Sequence, residues 1–227
     1  MTQKLTILFD LDGTLVDTAP DLIVAHNHVM KKFGFPTKEP NEIKSLVGKG
    51  AKTMMSKTLW NSAKKELSKV KEQDTKEKMV NEFINFYGNN ILVKSKLING
   101  VKEFLIWCKK NNISMGVCTN KQEHLAVDLL KKIGINDFFE CVAGSNTFDY
   151  CKPDPRHLTN MIEIMNGDVT KSIMIGDSDV DSQSAHNASL PFILLEGGYT
   201  DVSISKMKHD HLAKDFVGME GIVNKYL

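Results

Sequence analysis

Arginine is all but missing from this chain of 227 residues: position 156 holds the only one, and the other 28 of its 29 basic residues are lysine. Bidentate guanidinium clamps are therefore nearly excluded, and an anion has to be met by lysine point charges. An excess of charge of either sign is missing too. The formal net charge of +1 removes the bulk electrostatic case for nucleic acid or an anionic membrane surface as a partner. No apolar run approaches the ~18 residues of a membrane span. The one at the start, MTQKLTILFDLDG, is too short for a signal peptide and ends in acids. The four cysteines (Cys108, Cys118, Cys141, Cys151) include no C-x-x-C pair, so neither a zinc site nor a disulfide framework is indicated. Reduced, packed thiols in a cytoplasmic protein are the expectation. Internal repeats and low-complexity linkers are absent as well.

What is present is ordinary globular composition, 41% hydrophobic and 25% charged, enough for one large domain or a domain with an insertion. From residue 101 onward helix-type and strand-type stretches alternate. VKEFLIWCKKNN (101–112) precedes the strand ISMGVCT (113–119), and HLAVDLLKKIG (124–134) precedes FFECVAG (138–144). PRHLTNMIEIMN (155–166) precedes SIMIGD (172–177), and DSQSAHNA (181–188) precedes PFILLE (191–196). Near-continuous apolar strands between helices predict a parallel α/β sheet covered on both faces. Residues 19–90 show helical patterns only, including a Lys-rich run at 64–78 expected to be a solvated face. The next strand-type run is ILVKSKLI (91–98). The expected organisation is a Rossmann-like α/β core over 1–15 and 93–227, with an all-helical cap inserted at 16–92.

The segment ILFDLDGTLVDT (7–18) drives an apolar strand into two acids, Asp10 and Asp12. At strand spacing both point to one side, and Gly13 permits a sharp exit. Ionised carboxylates are costly to desolvate without a cation, so Asp10 is expected either to face solvent or to share a positive partner. In open parallel sheets ligands bind beyond the carboxyl ends of strands. Three further strand ends carry suitable groups: Thr119, Asn120 and Lys121; Lys152 in DYCKPDP; and Asp177, Asp179 and Asp181 in GDSDVD.

Together these residues resemble the haloacid dehalogenase superfamily, whose signatures are D-x-D-G-T, a Thr or Ser, a Lys, and G-D-x-x-x-D in that order. The finer match is to phosphoglycolate phosphatase-like members, through FDLDGTLVDTAPDL, LVGKGA, VCTNK, CKPDP and GDSDVDSQSAHNAS. Departures are Asn99 for a usual Pro, Ser189 for a common Gly, and the acidic Glu196 before GGYT. The resemblance implies a Mg²⁺-dependent phosphatase acting on a small phosphorylated metabolite, 2-phosphoglycolate first among candidates. Asp10 would be the nucleophile, forming an aspartyl-phosphate, and Asp12 the general acid and base. Asp10, the Asp12 backbone carbonyl and Asp177 would hold Mg²⁺. Thr119, Asn120 and Lys152 would bind phosphate, and Asp181 would orient Lys152 or a metal-bound water. Alternatives are a sugar phosphomutase of the β-phosphoglucomutase type, against which Thr14 weighs, or a phosphatase for another sugar phosphate, a nucleotide or pyrophosphate. The oligomeric state is not resolved.

Other patterns yield less. DSDVD fails as a calcium loop, with Ser182 and Ala188 where Gly and Glu belong. His26 and His28 face different ways on a helix, KHDHL (208–212) reads as a solvated turn, and Arg156 reads as the opening of a helix. Lys49, between two glycines in LVGKGA, predicts a turn whose backbone approaches a ligand, with the ammonium meeting the substrate's second anionic group. The cap hinges are expected at Val16–Thr18 and Leu92–Lys96.

Overall fold

A computed structural model of the protein describes residues 4–44, 46–62 and 69–227, side chains at 58–62 and 69–72 excepted. The first part of the Lys-rich run therefore lies outside the described residues; in the remainder, exposed Lys78 pairs with Asp74 one helical turn away. The first strand, β1 (Thr6–Phe9), is buried at every position. Its side chains feed two cores because successive residues point to opposite faces. Ile7 and Phe9 join one buried cluster and Leu8 the other.

After a two-residue strand β2 (Val16–Asp17) the described residues form the helices α1 (Ala19–Lys32), α2 (Pro40–Lys44), α3 (Ala51–Ser62) and α4 (Lys69–Asn89). Helix α1 opens with Pro20 and Asp21 and closes on Lys31 and Lys32, which suits both the missing N–H of Pro and the helix dipole. The chain returns through β3 (Lys96–Leu97), then alternates α5 (Val101–Lys110), β4 (Ser114–Cys118), α6 (Glu123–Ile133), β5 (Cys141–Ala143), α7 (Arg156–Ile164), β6 (Ser172–Gly176), α8 (Asp179–Asn187) and β7 (Phe192–Leu195). It ends with β8 (His211–Ala213) and α9 (Met219–Val223). The main sheet has the order β5-β4-β1-β6-β7-β8, all parallel. The α/β class and the parallel sheet are thus as the alternation predicts.

Val16 and Asp17, at the head of the stretch expected to be all helical, form the strand β2, and two further stretches differ from expectation. Only Lys96 and Leu97 of 91–98 are strand, and they pair antiparallel with β2, outside the main sheet. The residues before them are held by Asp21 instead. Its buried carboxylate accepts from the backbone N–H groups of Val93, Lys94 and Ser95 at 2.9–3.0 Å and from the Ser95 hydroxyl at 2.6 Å. Those bonds depress the Asp21 carboxyl below its ordinary range, against a burial that would raise it. The second of these stretches is KHDHL, which is not a free turn: Asp210 and His211 dock on β7, extending the sheet. Among the described residues no helix is long and apolar enough to cross a membrane.

Candidate active site

Strands β4, β1 and β6 lie side by side, with Phe9 level with both Val117 and Ile175. Parallel register therefore delivers Asp10, Thr119 and Asp177 to the same edge of the sheet. Gly13 makes the turn after Asp12: its φ is +92°, and a Cβ there would sit 2.5 Å from an Asp177 carboxylate oxygen. Only glycine fits.

The acids are buried, not solvent-facing. Asp10 is 4% exposed, Asp12 5% and Asp177 1%, which overturns the solvent alternative for Asp10 and leaves the shared cation. Lys152, itself 3% exposed, places its ammonium 2.7 Å from Asp10 Oδ1 and 2.6 Å from Asp181 Oδ1. Burial opposes that ammonium, but Asp10 and Asp181 outweigh it and hold its pKa above the ordinary lysine value. Burial pushes the Asp10 carboxyl up to about 7, with Lys152 pulling it down and Asp181 and Asp12 pushing it further up. Asp177 is also raised, by burial first and then by Asp10 and Asp181, against a Tyr199 N–H at 2.8 Å and the Thr14 hydroxyl at 2.7 Å.

Asp181 is committed elsewhere on both oxygens. Beside Lys152, its Oδ2 accepts from the Ser178 hydroxyl at 2.6 Å and the Ser178 N–H at 3.1 Å, completing a capping box at the start of α8. It therefore anchors Lys152. Carboxylate oxygens of Asp10, Asp177 and Asp181 lie within 4.8 Å of one another. Three carboxylates against the Lys152 ammonium leave two negative charges, and the burial-raised acids show the cost of that arrangement without a further cation. A hard divalent ion with oxygen ligands fits this donor set.

Asp12 stands apart from that cluster. Its Oδ1 accepts from the Thr18 hydroxyl at 2.6 Å and from the Lys121 ammonium at 2.5 Å, and Lys121 also lies 4.7 Å over the Tyr87 ring of α4. The Thr119 hydroxyl accepts the Lys121 N–H at 3.2 Å, which leaves its proton free to donate. Asn120 Nδ2 donates to the Lys152 carbonyl at 3.0 Å, while its buried Oδ1 has no partner among the described residues. Lys49 does sit in a turn between glycines of positive φ. It lines a cavity of about 400 Å³ together with Asp12, Asn120 and Lys121, and its ammonium is 3.4 Å from Asp201.

The structure thus gathers Asp10, Asp12, Thr119, Asn120, Lys152, Asp177 and Asp181, with Lys49 across the cavity. The sequence reading noted Lys121 without a role and passed over three other supports. Lys121 stands in the VCTNK motif, yet nothing in a chain with 28 lysines marks it as Asp12's partner. Thr18 binds Asp12, and Tyr199 bonds Asp177 through its N–H and Asp17 through its hydroxyl. His157, fully buried, accepts the Lys152 N–H on Nδ1 at 3.2 Å. The Lys121 and Tyr199 contacts depend on long-range packing, while those of Thr18 and His157 are made within six residues by turns that no recurring pattern marks. The cysteines are free, Cys108 and Cys118 buried and the others half-buried, and Arg156 does open α7, paired with Asp154.

A parallel sheet with acids, a hydroxyl and a buried lysine at the carboxyl edge of its central strands defines a Rossmann-like α/β enzyme core. Residues 7–195 match the haloacid dehalogenase-like hydrolase family, and the chain belongs to it. It is 38% identical to a phosphoglycolate phosphatase of Agrobacterium fabrum over 93% of this chain and 89% of that protein. It is 33% identical to that of Mesorhizobium japonicum over 92% and 90%. The crystal structure of a predicted phosphoglycolate phosphatase from Haemophilus somnus superposes with a TM-score of 0.90 at 29% identity, covering 98% of this chain and 99% of that one.

Proposed function

We propose that the protein is a Mg²⁺-dependent phosphomonoesterase working through an aspartyl-phosphate. The observation that carries this is the division of the acids. Asp10 is held by the buried Lys152, whereas Asp12 is held separately by Thr18 and Lys121 at the wall of the large cavity. One carboxylate is placed for attack and the other for proton transfer to the departing oxygen.

Asp10 Oδ1 is fixed by Lys152, and Oδ2 takes no donor among the described residues, so it is the attacking atom. Lys152 has three N–H donors, two of them spent on Asp10 and Asp181, and the third is left for a phosphoryl oxygen. The Thr119 hydroxyl supplies another donor. Asp12 gives its proton to the leaving oxygen, then takes one from the water that cleaves the acyl phosphate. The Asp10 carboxylate, the Asp12 backbone carbonyl and Asp177 would hold Mg²⁺, which when bound offsets the negative charge gathered by acids and phosphate. The helices between β2 and β3 act as a cap that excludes water from this centre, hinged at Val16–Thr18 and Leu92–Lys96.

For the substrate, the names of the relatives favour 2-phosphoglycolate, with Lys49 as the partner of its carboxylate. Release of inorganic phosphate from a panel of phosphomonoesters, with Mg²⁺ and with EDTA, tests the reading. Asp10→Asn should leave under about one per cent of the wild-type rate, and an Asp10→Asn enzyme retaining more refutes the covalent route.

A further inference from the structure

The 400 Å³ cavity lies on one side of the reacting centre. Asp12, Asn120 and Lys121 line it, whereas Asp10, Thr119, Lys152 and Asp177 lie outside its wall. A phosphoryl group held by Asp10 and Lys152 therefore does not occupy this space. The group that leaves with the proton of Asp12 does. A glycolate leaving group is on the order of two or three waters in volume, roughly 80 Å³. Some four-fifths of the chamber would remain empty around it.

The lining has a definite chemistry. Val80, Phe83, Ile84 and Tyr87 of α4 follow the i, i+3, i+4, i+7 spacing of one helix face, and that face forms a wall of the chamber together with Leu22 and Leu125. The opposite walls are polar, with Lys49, Lys52 and Thr53 on one segment and Lys121, Gln122 and Asn146 among those on the core side. A small, fully hydrated anion gains nothing from an apolar helix face. A ligand with an apolar body does, by removing both surfaces from water.

We propose, building on the phosphomonoesterase reading, that beyond 2-phosphoglycolate the site also takes phosphomonoesters whose leaving group carries an apolar body of about aromatic-ring size, and prefers them to alkyl esters lacking that body. The phosphate sits on Lys152 and Thr119, the ester oxygen faces Asp12, and the ring lies against the Val80–Tyr87 stripe. Glycolate-sized esters are accepted without filling the chamber.

Propyl and 3-phenylpropyl phosphate differ by a ring remote from the ester oxygen, so leaving-group basicity is matched. Their kcat/KM ratio is measured with the wild-type protein, and binding of the non-hydrolysable propyl- and 3-phenylpropylphosphonates is measured by calorimetry. Burial of the ring should strengthen both roughly tenfold to hundredfold. Ile84→Trp, or the milder Val80→Phe should the first fail to fold, should shrink that advantage at least fivefold by occupying the space. Tighter binding of the phenyl phosphonate with neither ester hydrolysed upholds the chamber assignment while removing the phosphatase reading. Equal or weaker binding of the phenyl compound overturns the assignment, and so does an advantage unchanged in a folded chamber-filling variant.

Discussion

His157 gives the site a measurable dependence on pH. Burial, followed by the neighbouring Lys152 ammonium, depresses its imidazole from 6.5 to about 4. In that window the unfolded chain binds a proton that the native protein does not, so stability falls as the pH drops from 6.5 towards 4. At roughly 1.4 kcal/mol per pH unit, the gap amounts to about 3 kcal/mol in full, and about 2 kcal/mol between pH 7 and pH 4.5. The perturbation is His157→Asn, whose side-chain oxygen can accept the Lys152 N–H in place of Nδ1 but does not titrate. Any packing loss it causes is the same at both pH values. Urea unfolding in EDTA at pH 7 and pH 4.5 gives four free energies. The wild type should lose about 2 kcal/mol more than the variant on acidification, because the raised acids Asp10 and Asp177 titrate in both proteins and cancel. An equal loss in the two proteins refutes the argument and means that His157 is protonated in the native state or already depressed in the unfolded one.

Further outcomes follow from other residues. Asp177→Ala should raise the Mg²⁺ concentration needed for half-maximal activity by orders of magnitude, and Ca²⁺ should inhibit the wild type, since it favours more and longer oxygen bonds; full activity in excess EDTA refutes the metal assignment. Lys49→Ala should raise KM for 2-phosphoglycolate at least tenfold while barely altering p-nitrophenyl phosphate hydrolysis, because the partner Asp201 is exposed and such pairs bind weakly; equal effects on both substrates remove Lys49 from specificity. Ser189 has a φ of +58°, so Ser189→Gly should relieve left-handed strain of about 1 kcal/mol, less the backbone entropy of glycine. A thermal midpoint raised by about 1–2 °C is expected, and a lowered one contradicts the strain argument.

The core strands were legible because a parallel sheet covered on both faces imposes uninterrupted apolar runs, and SIMIG and SMGVC are such runs. The same logic misled at ILVKSKLI. There the β-type composition serves an extended linker pinned by Asp21, a contact 72–74 residues distant in sequence that composition cannot announce. The His211 strand was hidden by its shortness and its edge position, where a strand needs few apolar residues. At the site, two acids just past an apolar strand were legible from the spacing. Their opposite fates were not, because which lysine reaches which acid is settled by packing across the sheet. The Ser189 departure from Gly also becomes intelligible only with the backbone angle.

The scarcity of arginine bears on how the charges are arranged. A guanidinium presents its donors in a rigid planar fork suited to one carboxylate at a time. An ammonium has three donors that can point to three different groups. Lys152 uses this freedom by bonding Asp10 and Asp181, which come from just past β1 and from the first turn of α8, while a donor remains for a third oxygen. Lys121 likewise touches Asp12 and the face of Tyr87 at once, joining the end of a sheet strand to helix α4. Backbone contacts, not the side chains, supply the rigidity that lysine lacks. Lys152 is fixed by His157 at its N–H and by Asn120 at its carbonyl, and Lys121 by Thr119 at its N–H and by Ser145 at its carbonyl. Point charges on a clamped backbone thus do the work of a fork, and the residues that clamp them belong to the site as much as the acids do.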